Sequence, residues 1–175
     1  MSNLAEITRS NARGMITLRG DLTSAKMKSA VKAACGQGMP TSAQVLGDGD
    51  GGVAWMSPDE LLVMVPYDDV ADVIADLNSA LKGEHALVAD VSDARAVFSI
   101  NGADAHEVLA RVCPVDLHVD SFAIGQFRRT RLAQVAAAFW RHEAGFDVVC
   151  FRSVGDYVDG VLRNAAQASK VGALD

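Results

Sequence analysis

An internal repeat constrains the fold of this sequence more than any other feature. Alternation of apolar and polar residues is typical of strands, and apolar residues at i, i+3, i+4 and i+7 are typical of the buried face of a helix. Both patterns occur twice, in the same order, along the 175 residues. Gly20 and Gly102 end the first strand of each copy, and Trp55 and Trp140 lie in corresponding strands. Strands and helices in this order predict an α+β protein.

The first copy is predicted to contain, in order, a strand, a helix, two strands and a helix. Gly36 is predicted to end the first helix, because glycine readily takes the left-handed conformation at helix C-termini. Asp68 or Asp69 can cap the second helix. The predicted elements are a strand at 16–18, a helix with the buried face Met27, Ala30, Val31 and Ala34, strands at 53–56 and 61–65, and a helix with the buried face Val70, Val73, Ile74 and Leu77.

The second copy repeats this order. Ser153 and Asp156 form a pair that resembles a capping box and is predicted to open the last helix. The predicted elements are a strand at 96–100, a helix with the buried face Ala105, Val108, Leu109 and Val112, strands at 126–132, 135–140 and 146–151, and a helix with the buried face Val154, Val158, Val161 and Leu162.

Each copy is interpreted as a split β-α-β unit of the ferredoxin-like kind. Such a unit leaves one apolar face of its sheet uncovered, so the two halves are predicted to pack on one another as a single domain. The predicted boundaries are a flexible N-terminus at 1–10, pseudo-repeats at 11–83 and 84–166, and a flexible tail at 167–175.

Charge and cysteine content narrow the class of protein. The chain has 16 Lys and Arg against 22 Asp and Glu, a net charge of −6, which argues against binding nucleic acid or an anionic membrane. No apolar run approaches the roughly 18 residues needed to cross a bilayer. Three scattered cysteines fit a reducing compartment better than a disulfide framework. A cytoplasmic location is therefore expected.

Sequence motifs for catalysis or cofactor binding are absent. No glycine-rich nucleotide loop, Cys-x-x-Cys pair or Gly-x-Ser-x-Gly elbow occurs, and the four histidines share no His-x-x-x-His spacing. No catalytic residue, metal site or cofactor site is predicted in this chain. Cys35, Cys113 and Cys150 are interpreted as small core residues rather than reactive thiols.

Two short segments carry enough polar chemistry to be candidate sites. Residues 113–118 place a thiol, the Asp116 carboxylate and the His118 imidazole just after a helix, which is either a loop site or a proline-stopped helix whose side chains bond local backbone. Arg128, Arg129 and Arg131 lie in one predicted strand, with Arg129 and Arg131 on the same face and Arg128 on the other. They either protect an exposed strand edge from aggregation or dock a partner.

Seven ordered stretches between residues 55 and 157 resemble the gamma subunit of heterotetrameric sarcosine oxidase. No single stretch is decisive, but their order and spread are specific. They are WMSPDELL (55–62), DVSDAR (90–95), GADAHEVL (102–109), CPVDLH (113–118), TRLA (130–133), GFD (145–147) and RSVGDY (152–157).

This resemblance implies a fold similar to the folate-binding domain of aminomethyltransferases and a non-catalytic role. It implies alpha, beta and delta partner subunits that together oxidise sarcosine to glycine and hydrogen peroxide and pass the one-carbon unit to tetrahydrofolate. FAD, FMN, NAD and the folate site are implied for the larger subunits. Asp116, His118, Arg128, Arg129 and Arg131 are then the expected interface residues. The alternative function is a stand-alone folate-binding or aminomethyltransferase-like module.

Overall fold

The computed structural model describes residues 3–48, 50–167, 169 and 171, which form ten strands and four α-helices. The strands are Glu6–Arg9 (β1), Gly14–Arg19 (β2), Val45–Gly47 (β3), Gly52–Ser57 (β4), Glu60–Val65 (β5), Leu87–Asp90 (β6), Arg95–Asn101 (β7), Phe127–Leu132 (β8), Val135–His142 (β9) and Gly145–Phe151 (β10). The helices are Ala25–Cys35 (α1), Val70–Ala80 (α2), Ala105–Ala110 (α3) and Gly155–Ala166 (α4).

The strands form two antiparallel sheets with equivalent topology. Their orders are β3-β4-β5-β2-β6 and β8-β9-β10-β7-β1. In the first sheet β2, α1, β4, β5, α2 and β6 follow the β-α-β-β-α-β order of a ferredoxin-like unit, with β3 added at one edge. The predicted α+β fold with duplicated ferredoxin-like halves is confirmed.

Each repeat contributes its leading strand to the other repeat's sheet. The strand β1 pairs with β7, and β6, which immediately precedes β7 in the chain, pairs with β2. The two compact units are therefore Asn11–Asp93, and the N-terminal segment through Ser10 together with the chain from Ala94. The expectation of a single integrated domain stays a prediction.

This exchange corrects two predicted boundaries. The N-terminus at 1–10 is not entirely flexible, because Glu6–Arg9 form β1 and Ile7 is buried in a core. The predicted division between 83 and 84 falls before β6, which belongs to the first sheet. Both strands contain four residues, so their local pattern is weak, and pairing with distant partners defines them.

The unit formed by β2 to β6 packs the predicted faces of its helices against its core. Buried residues of these faces are Met27, Ala30, Val31, Val70 and Leu77, and partly buried ones are Ala34, Val73 and Ile74. Ser24 accepts a hydrogen bond from the Met27 N–H at the start of α1, and Gly36 ends that helix with a φ of 72°. The C-terminal cap predicted at Gly36 is confirmed. Asp69 occupies the N-cap position of α2 without a side-chain cap, because a 3-10 turn at Tyr67–Asp69 precedes the helix.

The other unit packs α3 and α4 on an aromatic core. Phe122, Phe139 and Phe146 have ring centroids 5.4–6.1 Å apart. The predicted capping pair of Ser153 and Asp156 is wrong. Ser153 lies inside a 3-10 turn, and Val154 occupies the N-cap position of α4 without a side-chain hydrogen bond. The Asp156 carboxylate instead pairs with Arg9 at 2.9 Å, tying α4 to β1.

The tail predicted at 167–175 lies mostly outside the described residues. Its described part contacts α3: the Arg111 guanidinium donates to the Ser169 carbonyl, and the Val171 N–H donates to Glu107 at 3.1 Å. Glu107 is buried and also accepts from Arg111 at 3.4 Å. These contacts attach the described tail residues to the helix.

Candidate functional site

Two buried residues hold the α3–β8 loop, residues 111–126, against the aromatic core. Leu117 and Phe122 are both fully buried. The Arg141 guanidinium donates to the Phe122 carbonyl at 2.7 Å, and the Gly125 N–H donates to the Arg141 carbonyl at 2.9 Å. The candidate residues on this loop are therefore held on an anchored segment.

Asp116 and His118 bond their neighbours within the loop. The Asp116 carboxylate accepts from the His118 backbone N–H at 3.0 Å, and the His118 Nδ1 accepts from the Asp120 N–H at 3.2 Å. Cys113 is buried and does not join them at the surface. Of the two alternatives for residues 113–118, these bonds match the one in which the side chains bond local backbone. The role of Asp116 and His118 in an interface stays a prediction.

Acid is expected to weaken the Asp116 turn. The His118 N–H and the Ser121 hydroxyl bond the ionised carboxylate, which lowers the pKa of Asp116 below its usual value. Because the pKa is lowered in the folded state, the ionised Asp116 carboxylate stabilises the fold at pH values above its unfolded pKa of about 3.9. This stabilisation is lost as the pH falls through the folded pKa. A ¹³C titration of the Asp116 carboxyl is expected to give a midpoint below about 3.9. A midpoint at or above that value contradicts the hydrogen-bonded turn.

The three arginines of β8 lie at an edge of their sheet. This strand pairs with β9, and the register places Arg129 opposite Ala138 and Arg131 opposite Ala136. All three arginines are exposed. The register confirms that Arg129 and Arg131 share one face and that Arg128 lies on the other.

A buried polar group on the same sheet was missed from the sequence. Asp147, only 8% exposed, accepts from the Ser99 hydroxyl at 2.6 Å, and the His142 Nε2 lies 3.6 Å from the same carboxylate oxygen. The serine bonds the carboxylate rather than the imidazole, which is not the arrangement that activates a nucleophilic serine. One signal could have identified Asp147, a charged residue within the apolar strand GFDVVCF.

A pocket of about 190 Å³ lies beside this polar group. Residues 102, 103, 105 and 106 line it together with residues 141–146, and His106, Arg141, His142 and Glu143 are its polar side chains. Its volume is below the roughly 300–1,000 Å³ of pockets that enclose drug-sized ligands. The pocket therefore does not fit a flavin, a dinucleotide or a folate as a whole.

The comparisons with known proteins identify the family. The sarcosine oxidase, gamma subunit family profile matches residues 19–168. The chain belongs to this family. Sarcosine oxidase subunit gamma from Arthrobacter sp is 36% identical over 115 residues, which cover 65% of this chain and 56% of that protein. The chain thus spans about half the length of the curated relatives it matches.

Solved structures show that the similarity to this family includes the fold. A chain of heterotetrameric sarcosine oxidase from Corynebacterium sp. U-96, in complex with pyrrole 2-carboxylate, superposes with a TM-score of 0.85 at 28% identity. The match covers 95% of this chain and 87% of that chain. Aminomethyltransferase T of the glycine cleavage system from Bartonella henselae gives 0.65 at 14% identity, covering 92% and 46%, and shows the fold alone. The family resemblance and the aminomethyltransferase-like fold are confirmed.

The described part of the chain contains neither a metal-binding group nor a membrane-spanning helix. Within residues 3–48, 50–167, 169 and 171, no three His, Cys, Asp or Glu side chains are grouped so as to hold a metal ion. No helix in those ranges has the length and apolarity needed to span a bilayer.

The three thiols are expected to be unreactive in the folded protein. Cys35, Cys113 and Cys150 are all buried, as predicted for core residues. Burial raises the pKa of Cys113 to about 12 and also raises the pKa of the other two thiols. Because the thiolate is the reactive form, a thiol reagent at pH 8 is expected to modify no cysteine in the native protein and all three in guanidinium. Modification of any thiol within minutes under native conditions would contradict this burial.

Proposed function

We propose that this chain is the gamma subunit of a heterotetrameric sarcosine oxidase and that its role there is structural. The observation that carries the proposal is the superposition on a chain of that assembly over 95% of this chain, with a TM-score of 0.85. Family membership over residues 19–168 supports it independently.

The chemistry of the chain supports a structural role. Asp116 and His118 bond local backbone, and Asp147 is bonded by Ser99. The pocket of about 190 Å³ is too small for the cofactors that the reaction needs. The three cysteines are buried, where their raised pKa values oppose the thiolate form. The proposal therefore assigns no catalytic residue to this chain.

The proposed complex contains alpha, beta and delta subunits besides this chain. It oxidises sarcosine to glycine and hydrogen peroxide and passes the one-carbon unit to tetrahydrofolate. FAD, FMN, NAD and the folate site belong to the larger subunits in this proposal. The three free thiols suit a reducing compartment, so the proposal places the complex in the cytoplasm.

Co-expression of the four subunits, with and without this chain, tests the proposal. The complex is expected to lose mass, flavin content and sarcosine turnover together when this chain is left out. An unchanged complex without this chain would overturn the structural role.

Tetrahydrofolate titration of the isolated chain is expected to show no binding. The likeness to aminomethyltransferase shows the fold alone, so it does not favour a stand-alone folate module.

The proposed docking residues are the arginines of β8, with Asp116 and His118 on the adjoining loop. Replacing Arg129 and Arg131 by glutamate reverses two charges on one face of β8 and is expected to weaken assembly. The matched control reverses two exposed lysines of the other unit, Lys28 and Lys82, with the same change in net charge. Equal assembly of the two double variants, with equal thermal stability, would place the interface elsewhere.

A further inference from the structure

The small pocket beside the β9–β10 turn brings together two side chains of opposite charge. It has a volume of about 190 Å³, and its polar lining includes Arg141 and Glu143. Much of the remaining wall consists of small residues, namely Gly102, Ala103, Ala105, Ala144 and Gly145. All of the lining residues belong to the unit that contains β7 to β10, so the pocket lies within one compact unit.

Arg141 is the inner cation of this pocket. It lies opposite Phe146 in the register of β9 and β10, and residues directly opposite one another project to the same face of a sheet. Phe146 is buried, and the Arg141 guanidinium lies 6.0 Å from the centroid of its ring. The Arg141 Nη1 also donates to the Phe122 carbonyl at 2.7 Å. The guanidinium is therefore held in place beside the buried Phe146 ring.

The Arg141 guanidinium keeps donors for a ligand. An arginine side chain has five N–H donors in a planar fork, and the bond to the Phe122 carbonyl uses one of them. Among the residues that the structure describes, no carboxylate forms an ion pair with Arg141. Its side chain is partly buried, where a charge is favoured by a counter-ion, and a carboxylate is the bidentate partner of a guanidinium. The inner part of the pocket therefore fits a carboxylate.

Glu143 supplies the opposite charge at the rim of the pocket. It is exposed and lies with Ala144 in the two-residue turn that joins β9 to β10. In the described ranges of the chain, no cationic side chain pairs with its carboxylate. The adjacent His142 bonds elsewhere, because its Nδ1 accepts from the Ala144 N–H at 3.2 Å and its Nε2 lies 3.6 Å from Asp147. The Glu143 carboxylate is thus placed to attract a cationic group at the outer end of a ligand.

The volume of the pocket limits the ligand to a few atoms. Because a cavity of about 150 Å³ accommodates benzene, a pocket of about 190 Å³ suits a molecule of roughly five to eight non-hydrogen atoms. A molecule of that size with a carboxylate at one end and a cationic group at the other is a small amino acid. We infer that this pocket binds a small zwitterionic amino acid, with its carboxylate on Arg141 and its ammonium group toward Glu143.

Glycine and sarcosine are the first amino acids to test. Both are small enough for the pocket, and the proposed complex consumes sarcosine and produces glycine. The choice of these two probes rests on the proposed function, whereas the class of ligand rests on the charges and volume of the pocket. The pocket would then sense the substrate or the product of the complex without taking part in the reaction.

Titration of the ¹⁵N-labelled chain, followed by NMR, tests the inference. Glycine or sarcosine is expected to shift the amides of Gly102, Ala103 and Ala144 and to saturate with a Kd in the millimolar range, as is usual for a ligand of few atoms. The tighter of the two identifies the occupant as product or substrate. Acetate lacks the ammonium group and methylamine lacks the carboxylate, so each is expected to bind at least about tenfold more weakly, the effect of one charge-assisted contact.

Two outcomes of the titration would overturn the inference. One is the absence of a saturable shift at these amides with either amino acid, and the other is acetate binding as tightly as the better amino acid. Neither outcome affects the proposed function, because the titration uses the isolated chain and does not depend on assembly. Failure of the co-expression experiment would likewise leave the binding result standing.

Glu143→Gln and Arg141→Lys assign the two ends of the ligand. Glu143→Gln removes one charge from an exposed turn and is expected to weaken the better amino acid about tenfold while leaving acetate unchanged. Arg141→Lys keeps the charge but loses the planar fork, and it is expected to weaken that amino acid by a similar factor of about ten. Because Arg141 also bonds the Phe122 carbonyl, the Tm of each variant is measured, and Glu143→Gln decides the test if Arg141→Lys does not fold.

The matched controls change the same charges at exposed positions away from the pocket. Asp76→Asn on α2 is the control for Glu143→Gln, and Arg131→Lys on β8 is the control for Arg141→Lys. Both controls are expected to bind the amino acid as the unsubstituted chain does. Full affinity of Glu143→Gln, or of a folded Arg141→Lys variant, would contradict the assigned orientation, and so would an equal loss of affinity in the controls.

Discussion

Replacing Phe122 by alanine is expected to lower the free energy of unfolding by about 3–5 kcal/mol. The ring is fully buried and lies 5.4 Å from the Phe139 ring and 6.1 Å from the Phe146 ring. Its loss leaves a cavity in the centre of the core and removes the anchor of the α3–β8 loop. Urea denaturation followed by circular dichroism measures the change.

Val119→Ala provides the control on the same loop. Its side chain is 53% exposed, so the change is expected to cost less than about 0.5 kcal/mol. Similar costs for the two variants would show that the loop is not anchored through Phe122.

Replacing Gly145 by alanine is expected to cost about 3 kcal/mol or more. Gly145 begins β10 with a φ of 152°, a backbone conformation that residues with side chains rarely adopt. A Cβ there would also collide with the carbonyl oxygen of Ile100 on the neighbouring strand β7. The substitution therefore combines backbone strain with separation of two paired strands, and urea denaturation measures the loss.

Gly160→Ala is the matched control with the opposite sign. Gly160 lies within α4, and a Cβ at this position meets no atom within 4 Å. Alanine is the better helix former, so a gain of about 0.5–1 kcal/mol is expected. A loss at Gly160, or a cost below about 1 kcal/mol at Gly145, would contradict the backbone geometry at these two glycines.

Much of the fold could be predicted because its signals are local. The helical spacing of Met27, Ala30 and Val31 places these side chains on the buried face of α1, and Gly36 ends that helix. The alternation along β8 likewise separates Arg129 and Arg131 from Arg128. Periodicity of 3.6 or 2 residues depends on the chain alone, so the sequence carries it without reference to distant contacts.

The short edge strands could not be predicted for the opposite reason. β1, β3 and β6 contain only three or four residues each, too few for a clear alternation. The strand β1 exists through its pairing with β7, whose residues lie more than 80 positions away. Pairing over that separation is a tertiary contact, so residues 1–10 looked flexible in the sequence.

The candidate sites also differ in whether their residues are neighbours in the sequence or only in the folded structure. The arginines of β8 were identified from the sequence because they are neighbours in one strand. The group formed by Ser99, His142 and Asp147 was missed, because these residues lie on three different strands. The register of β7, β9 and β10 brings them together.

The sequence by itself determined the duplicated order of strands and helices, the buried faces of the helices and the membership of the gamma-subunit family, because each depends on residues near one another or on their order. Only the tertiary structure decided which strands complete which sheet and where Asp147 is buried. Those features depend on strand pairing and register, and a shift of one residue reverses which side chains face the core.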